Sequence, residues 1–187
     1  MANRNTQGFG LIPAGTLGST PATSGIGKYK IDAGSATTIF QGGAVSSTAG
    51  YIVEGQGTAD NPMVGVLNGI FFNAATTLKP TFQNHYVQVT PANSEGIDAF
   101  VFDNPQQQYV VATDAAVAQS GYLETYDMNT TAGSTTTGQS SATLDIGDTS
   151  ADAASWRLLR SAEDPENDEN AAFRSVVVVA NLIELQS

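Results

Sequence analysis

The sequence predicts an all-β protein: one or two small antiparallel β-barrel or sandwich-like units with an extended N-terminal arm. Three observations point there. Thr, Val, Gly and Ala are abundant among the 187 residues while Glu and Lys are scarce, and β-branched residues with glycine turns suit a pleated surface. Short apolar or alternating runs recur between turn signals along the chain. Helix patterns are thin, and many closely spaced short strands favour antiparallel barrels or a sandwich over a parallel sheet.

Taken in order, residues 8–25, "GFGLIPAGTLGSTPATSG", set Phe9, Leu11, Ile12 and Leu17 among Gly, Pro, Ser, Thr and Ala. Such a stretch cannot bury enough apolar surface by itself to offset its ordering entropy, so residues 1–27 read as an arm that docks against something else. Strands are expected in "KYKIDAG" (28–34), with Tyr29 and Ile31 on one face, and then in "TTIFQGGAV" (37–45) and "YIVEGQG" (51–57). "MVGVLNGIFFN" (63–73) follows the turn "ADNP", and "HYVQVTP" (85–91) reads as the next strand.

The clearest local signal is "IDAFVFDNPQQQYVVAT" (97–113). Two apolar runs flank Asp-Asn-Pro, where Pro105 fixes the backbone and lacks a ladder donor, so the segment reads as a β-hairpin. "TDAAVAQSGY" (113–122) predicts one helical turn capped by Thr113 or Asp114. Further strands are expected in "GYLETYDM" (121–128), "ATLDIG" (142–147), "SWRLLRS" (155–161) and "FRSVVVVANLIEL" (173–185). Residues 128–142 read as a low-complexity polar loop, and "SAEDPENDEN" (161–170) as a solvated acidic link between the last two strands. The expected division is an arm at 1–27, a first β-rich unit at 28–92 and a second at 93–187.

The formal charge is −11 and it is unevenly placed. Arg4, Lys28 and Lys30 give the first thirty residues +3, whereas four basic against eighteen acidic residues leave −14 on the rest. The acidic balance argues against nucleic acid and anionic membranes as partners, since both require cationic side chains to displace counterions. There is no Cys, which removes disulfides and thiolate chemistry. No leader pattern or membrane-length apolar run is visible, so the expectation is a soluble protein released inside the cell that made it.

Motifs for chemistry are sparse. "GIGK" (25–28) has Ala22 and Tyr29 where a phosphate loop needs Gly and Ser or Thr. His85, the single histidine, has no nucleophile elbow to serve. Asp164, Glu166 and Asp168 alternate as calcium ligands do, but Glu169 and Ser175 stand where an EF-hand needs Gly and Glu. Asn129-Thr130-Thr131 is a formal sequon and is given no role. The sequence therefore predicts no catalytic residues, metal or cofactor, and a binding or structural role.

The segments 1–34, "DNPMVGVLNGIFFN", "AFVFDNPQQQYVVATD" and "WRLLRSAEDPENDENAAFRSVVVVANLIE" together resemble the head decoration, or cement, proteins of tailed bacteriophages. The resemblance covers most of the chain and rests on pattern rather than on a diagnostic motif. It implies a non-enzymatic virion protein on the outer surface of the mature head, bound to the major capsid protein lattice and stabilising it against internal DNA pressure. The chain itself, as a homo-oligomer, is a further candidate partner. The candidate capsid-binding residues are Arg4, Phe9, Leu11, Ile12, Leu17, Lys28, Tyr29 and Lys30. The alternative is a carbohydrate- or receptor-binding β-module of a virion, for which exposed aromatics on one face would be the sign; Tyr51, Tyr109, Tyr122 and Tyr126 lie in or near expected strands.

Overall fold

Alternation carries the chain into strands, and where those strands bury both faces two cores arise. The computed structural model describes residues 3, 5–18, 25–55, 62–92, 95–130, 133–147, 154–181 and 183–186. Their strands are β1 (Ile12–Thr16), β2 (Ile26–Ile31), β3 (Ala44–Thr48), β4 (Tyr51–Glu54), β5 (Gly65–Asn73), β6 (Pro80–Gln83), β7 (Ile97–Phe102) and β8 (Gln107–Ala112). They continue with β9 (Thr125–Tyr126), β10 (Met128–Asn129), β11 (Thr143–Leu144), β12 (Trp156–Ser161) and β13 (Ser175–Ala180). All strand pairs are antiparallel. The protein is all-β, and among the described residues no sheet closes into a barrel.

One sheet has the order β1-β8-β13-β12-β9. The six-stranded sheet has the order β2-β7-β5-β3-β4, with β6 also on β5, and β10 pairs with β11 apart. In β5 the partners divide by position: β3 takes Gly65 and Val66, β6 takes Ile70 to Asn73, and β7 lies along the opposite edge. The six-stranded sheet buries Ile31, Val45, Leu67, Ile70, Phe72, Ile97, Ala99 and Val101 in one core. Its other side contributes Ala44 and Val66, with Met63 just before β5, to a second core with Tyr109, Val111, Trp156, Leu158, Val176 and Val178 of the five-stranded sheet. Tyr109 and Trp156 meet edge to face at 5.6 Å there, the orientation that sets a ring edge against a π face.

The strands read from alternation at 51–57, 63–73, 155–161 and 173–185 are present as β4, β5, β12 and β13. Several expectations change: "TTIFQGGAV" holds only the isolated bridges of Ile39 and Gln41 before β3 opens at Ala44. "HYVQVTP" pairs only through isolated bridges, Tyr86 with Ile39 and Pro91 with Ala74, and the strand in that region is β6, which starts five residues earlier. The expected hairpin at 97–113 is a crossover: β7 pairs with β2 and β5, and β8 pairs with β1 and β13. Asn104 still makes the turn, accepting Gln106 N–H on Oδ1 and Gln107 N–H on its carbonyl, but the chain leaves it in the other sheet. Both runs are apolar on two faces, so each is a central strand and neither needs the other as its partner. The helical turn expected at 113–122 is reduced to a 3-10 turn at Gln119–Gly121.

Strand pairing also crosses the division expected at 92/93, because β7 belongs with the strands before it. The extended N-terminal segment lies along the chain's own body. β1 is the edge strand beside β8, and Leu11, 1% exposed, enters the second core. Leu11 N–H donates to the Gly42 carbonyl at 2.8 Å. Gly10 has φ +73°, and a Cβ there would stand 2.8 Å from the Gly42 carbonyl oxygen, so only glycine fits. Asn3 is buried, and its side-chain amide donates to the carbonyl of Ala172 at 2.8 Å, which ties the segment to the acidic loop.

Candidate interaction surface

Both sheets end on strands from the first thirty-one residues. β1 closes the five-stranded sheet and β2 closes one side of the six-stranded sheet. Thr16 stands opposite Gln107 and Ile26 opposite Phe102, so the two strands converge on the turn 103–106. Leu17 N–H donates to the Gln106 carbonyl at 2.9 Å and fixes the exit from β1. Ile12 (50% exposed), Leu17 and Ile26 all present apolar surface on this ridge. The β1 edge is unsuited to adding another strand. Pro13 lacks a donor, the register shifts between Pro13 and Gly15, and the Gln107 side-chain amide already donates to the Gly15 carbonyl at 2.7 Å.

Along β2 the side chains alternate. Tyr29 turns toward the inner core and donates its hydroxyl to Asp103 at 2.8 Å. Burial, then the bond and charge of Asp103, push the phenol up to about 12. Lys28 and Lys30 point outward and converge on Asp98, at 2.7 and 2.5 Å. Burial acts to raise Asp98, but hydrogen bonds from Lys28 and Lys30 and their charges outweigh it and hold the carboxyl below its usual value. One carboxylate against two ammonium groups leaves a local positive excess on an acidic body.

The same outward face continues through aromatics. Phe100 lies opposite Lys28 on one side and Gly69 on the other, and Phe71 lies between Asp98 and Phe82. The Phe82 and Phe100 rings are 5.8 Å apart. A Cβ on Gly69 would meet the Phe82 ring at 2.9 Å, so the ring occupies the space the glycine leaves. Phe82 is 62% exposed. Cation, carboxylate and aromatic rings thus share one face across β2, β7, β5 and β6.

Of the residues singled out from sequence, Ile12, Leu17, Lys28 and Lys30 are outward, Tyr29 supports the turn, and Leu11 is core. Phe9 is half-buried and lines a cleft. Arg4 lies outside the described residues, as do residues 19–24 of the expected arm. Sequence reasoning missed Phe71, Phe82, Phe100 and Asp98. The alternation in "LKPTFQN" was the available signal for β6; the outward direction of Phe100 follows only once β7 is placed between β2 and β5.

Elsewhere, His85 stacks on Phe40 at 6.0 Å and hydrogen-bonds Asn84 Oδ1 through Nδ1. In the acidic loop, Asp164 and Asp168 accept the N–H groups of Glu166 and Asn170, and Glu169 pairs with the buried Arg174 at 3.0 Å. Among the described residues no three His, Asp or Glu side chains gather as a metal site. Comparison of the chain with protein-family models, curated proteins and solved structures finds no match.

Proposed function

We propose that the protein is a non-enzymatic decoration protein of a tailed-bacteriophage head. It binds the outer surface of the assembled mature shell through the ridge of β1 and β2 and the Phe–Lys face, and stabilises that shell against internal pressure. The observation that supports this most is the placement of Ile12, Ile26, Lys28 and Lys30 on strands already fixed to the body, with Leu17 held just past β1. A surface ordered before contact avoids much of the entropy loss that a free arm pays on docking. Many copies on one lattice then allow each contact to be modest. The acidic remainder, facing solvent, limits self-association of neighbouring copies.

The test is co-sedimentation of the full chain with precursor and expanded heads of the phage that encodes it. Wild-type protein pellets with expanded heads, and a Leu17→Asp, Phe82→Asp double variant, altered only at exposed positions, loses at least about tenfold in retention. Folded wild-type protein that pellets with neither head form refutes the decoration role. Unchanged retention of the double variant refutes this surface as the contact.

A further inference from the structure

Beside the ridge, and separate from its outward side chains apart from Ile12, lies a cleft of about 280 Å³ between the N-terminal segment and the two sheets. We infer that this cleft is a binding site for a neutral saccharide. Its walls combine the apolar side chains of Phe9, Ile12 and Phe102 with the carboxamides of Gln41, Asn68 and Gln139. Among the described residues no ionisable side chain lines it, in a chain whose formal charge is −11. Among these lining residues an anionic ligand would find no cation, and a cationic ligand no carboxylate.

Two features show how the amides are placed. The register of β5 against β7 shifts between Leu67 and Gly69, so Asn68 is the extra residue of a bulge. Bulges re-aim side chains and recur beside binding sites. Gln41 and Gln139 are fixed as a bridged pair: Gln41 N–H donates to the Gly138 carbonyl and Ser140 N–H to the Gln41 carbonyl, both at 2.9 Å. Their side chains are only lightly engaged. Gln41 Nε2 reaches Asn68 Oδ1 at 3.4 Å and Asn84 Nδ2 reaches Gln41 Oε1 at 3.5 Å, the weak end of the hydrogen-bond range.

A carboxamide offers two donors and an acceptor with two lone pairs. A sugar hydroxyl is likewise both donor and acceptor, so a set of amides matches a row of hydroxyls without any charge. The C–H face of a pyranose suits the apolar wall. The volume is at the lower end for ligand sites, which fits a terminal sugar rather than a long chain. This site makes no use of Lys28, Lys30 or Phe82 and shares only Ile12 with the proposed head contact.

The test applies the full chain to an array of neutral and acidic oligosaccharides, followed by titration with the best neutral member. Retention of neutral members, with affinity falling at least about tenfold in Gln41→Ala and in the exposed-site variant Gln139→Ala, is the expected result. No retained neutral member overturns the assignment, as does retention of acidic members alone. Neutral binding that persists in both variants overturns it too. Because neither glutamine is on the ridge, loss of sugar binding with intact head retention separates this site from the proposed function.

Discussion

Asp98 holds two lysines from the neighbouring strand with one carboxylate, and the pairing is mostly electrostatic surface chemistry. Its folded pKa lies below the ordinary 3.8, so the stabilisation is fully present above that value and is lost as pH falls through the folded pKa. Both lysine side chains are more than half exposed, and solvent screening reduces the contribution to about 1 kcal/mol. Asp98→Asn is expected to lower unfolding free energy by that amount at neutral pH, with the difference from wild type vanishing in strong acid. Urea unfolding at several pH values measures it; a pH-independent difference would assign Asp98 a packing role instead. The charge asymmetry of the sequence marked Lys28 and Lys30, but not their partner. Lys30 and Asp98 meet only through the register of two strands separated by 68 positions, which composition does not carry.

Strands were legible where alternation is bounded by turns; partners were not. β7 and β8 look like a hairpin because two apolar runs flank Asn-Pro, yet β7 buries Ile97, Ala99 and Val101 in one core while Tyr109 and Val111 of β8 serve the other. Which face each strand must bury decided the pairing, and a local turn cannot show that. The N-terminal segment follows the same logic. Its large apolar residues were expected to dock on a partner; Leu11 instead enters the chain's own core, while Ile12 and Leu17 stay outward. Leu11→Ala is expected to cost about 2–4 kcal/mol, and Ile12→Ala, one residue away but half exposed, no more than about 0.5 kcal/mol. Equal, small losses for the two in urea unfolding would mean that β1 is not anchored as described.

Across the whole molecule the chain starts in one sheet, builds the other from β2 to β7, and returns through 103–106 to finish the first. The expected all-β class was visible in composition; the division at 92/93 was not, because the sheets exchange strands and share the second core. At the C-terminal end, Ile183 bridges to Met63 and Glu184 accepts Ser47 N–H at 3.2 Å, so that end too returns to the six-stranded sheet. Fastening the ends in this way makes the ridge and the cleft parts of one scaffold instead of attachments to it. The outward Phe–Lys face was hidden from sequence for the same reason: it exists only when four strands are set side by side.

Amide hydrogen exchange on the free full-length protein tests the central claim, that the N-terminal segment is a fixed ridge before any partner arrives. The account predicts that the β1 amides bonded to β8, and the β2 amides bonded to β7, exchange within about tenfold of their partners on those strands. Exchange of the β1 amides at the rate of an unstructured chain, with β8 still protected, would contradict it.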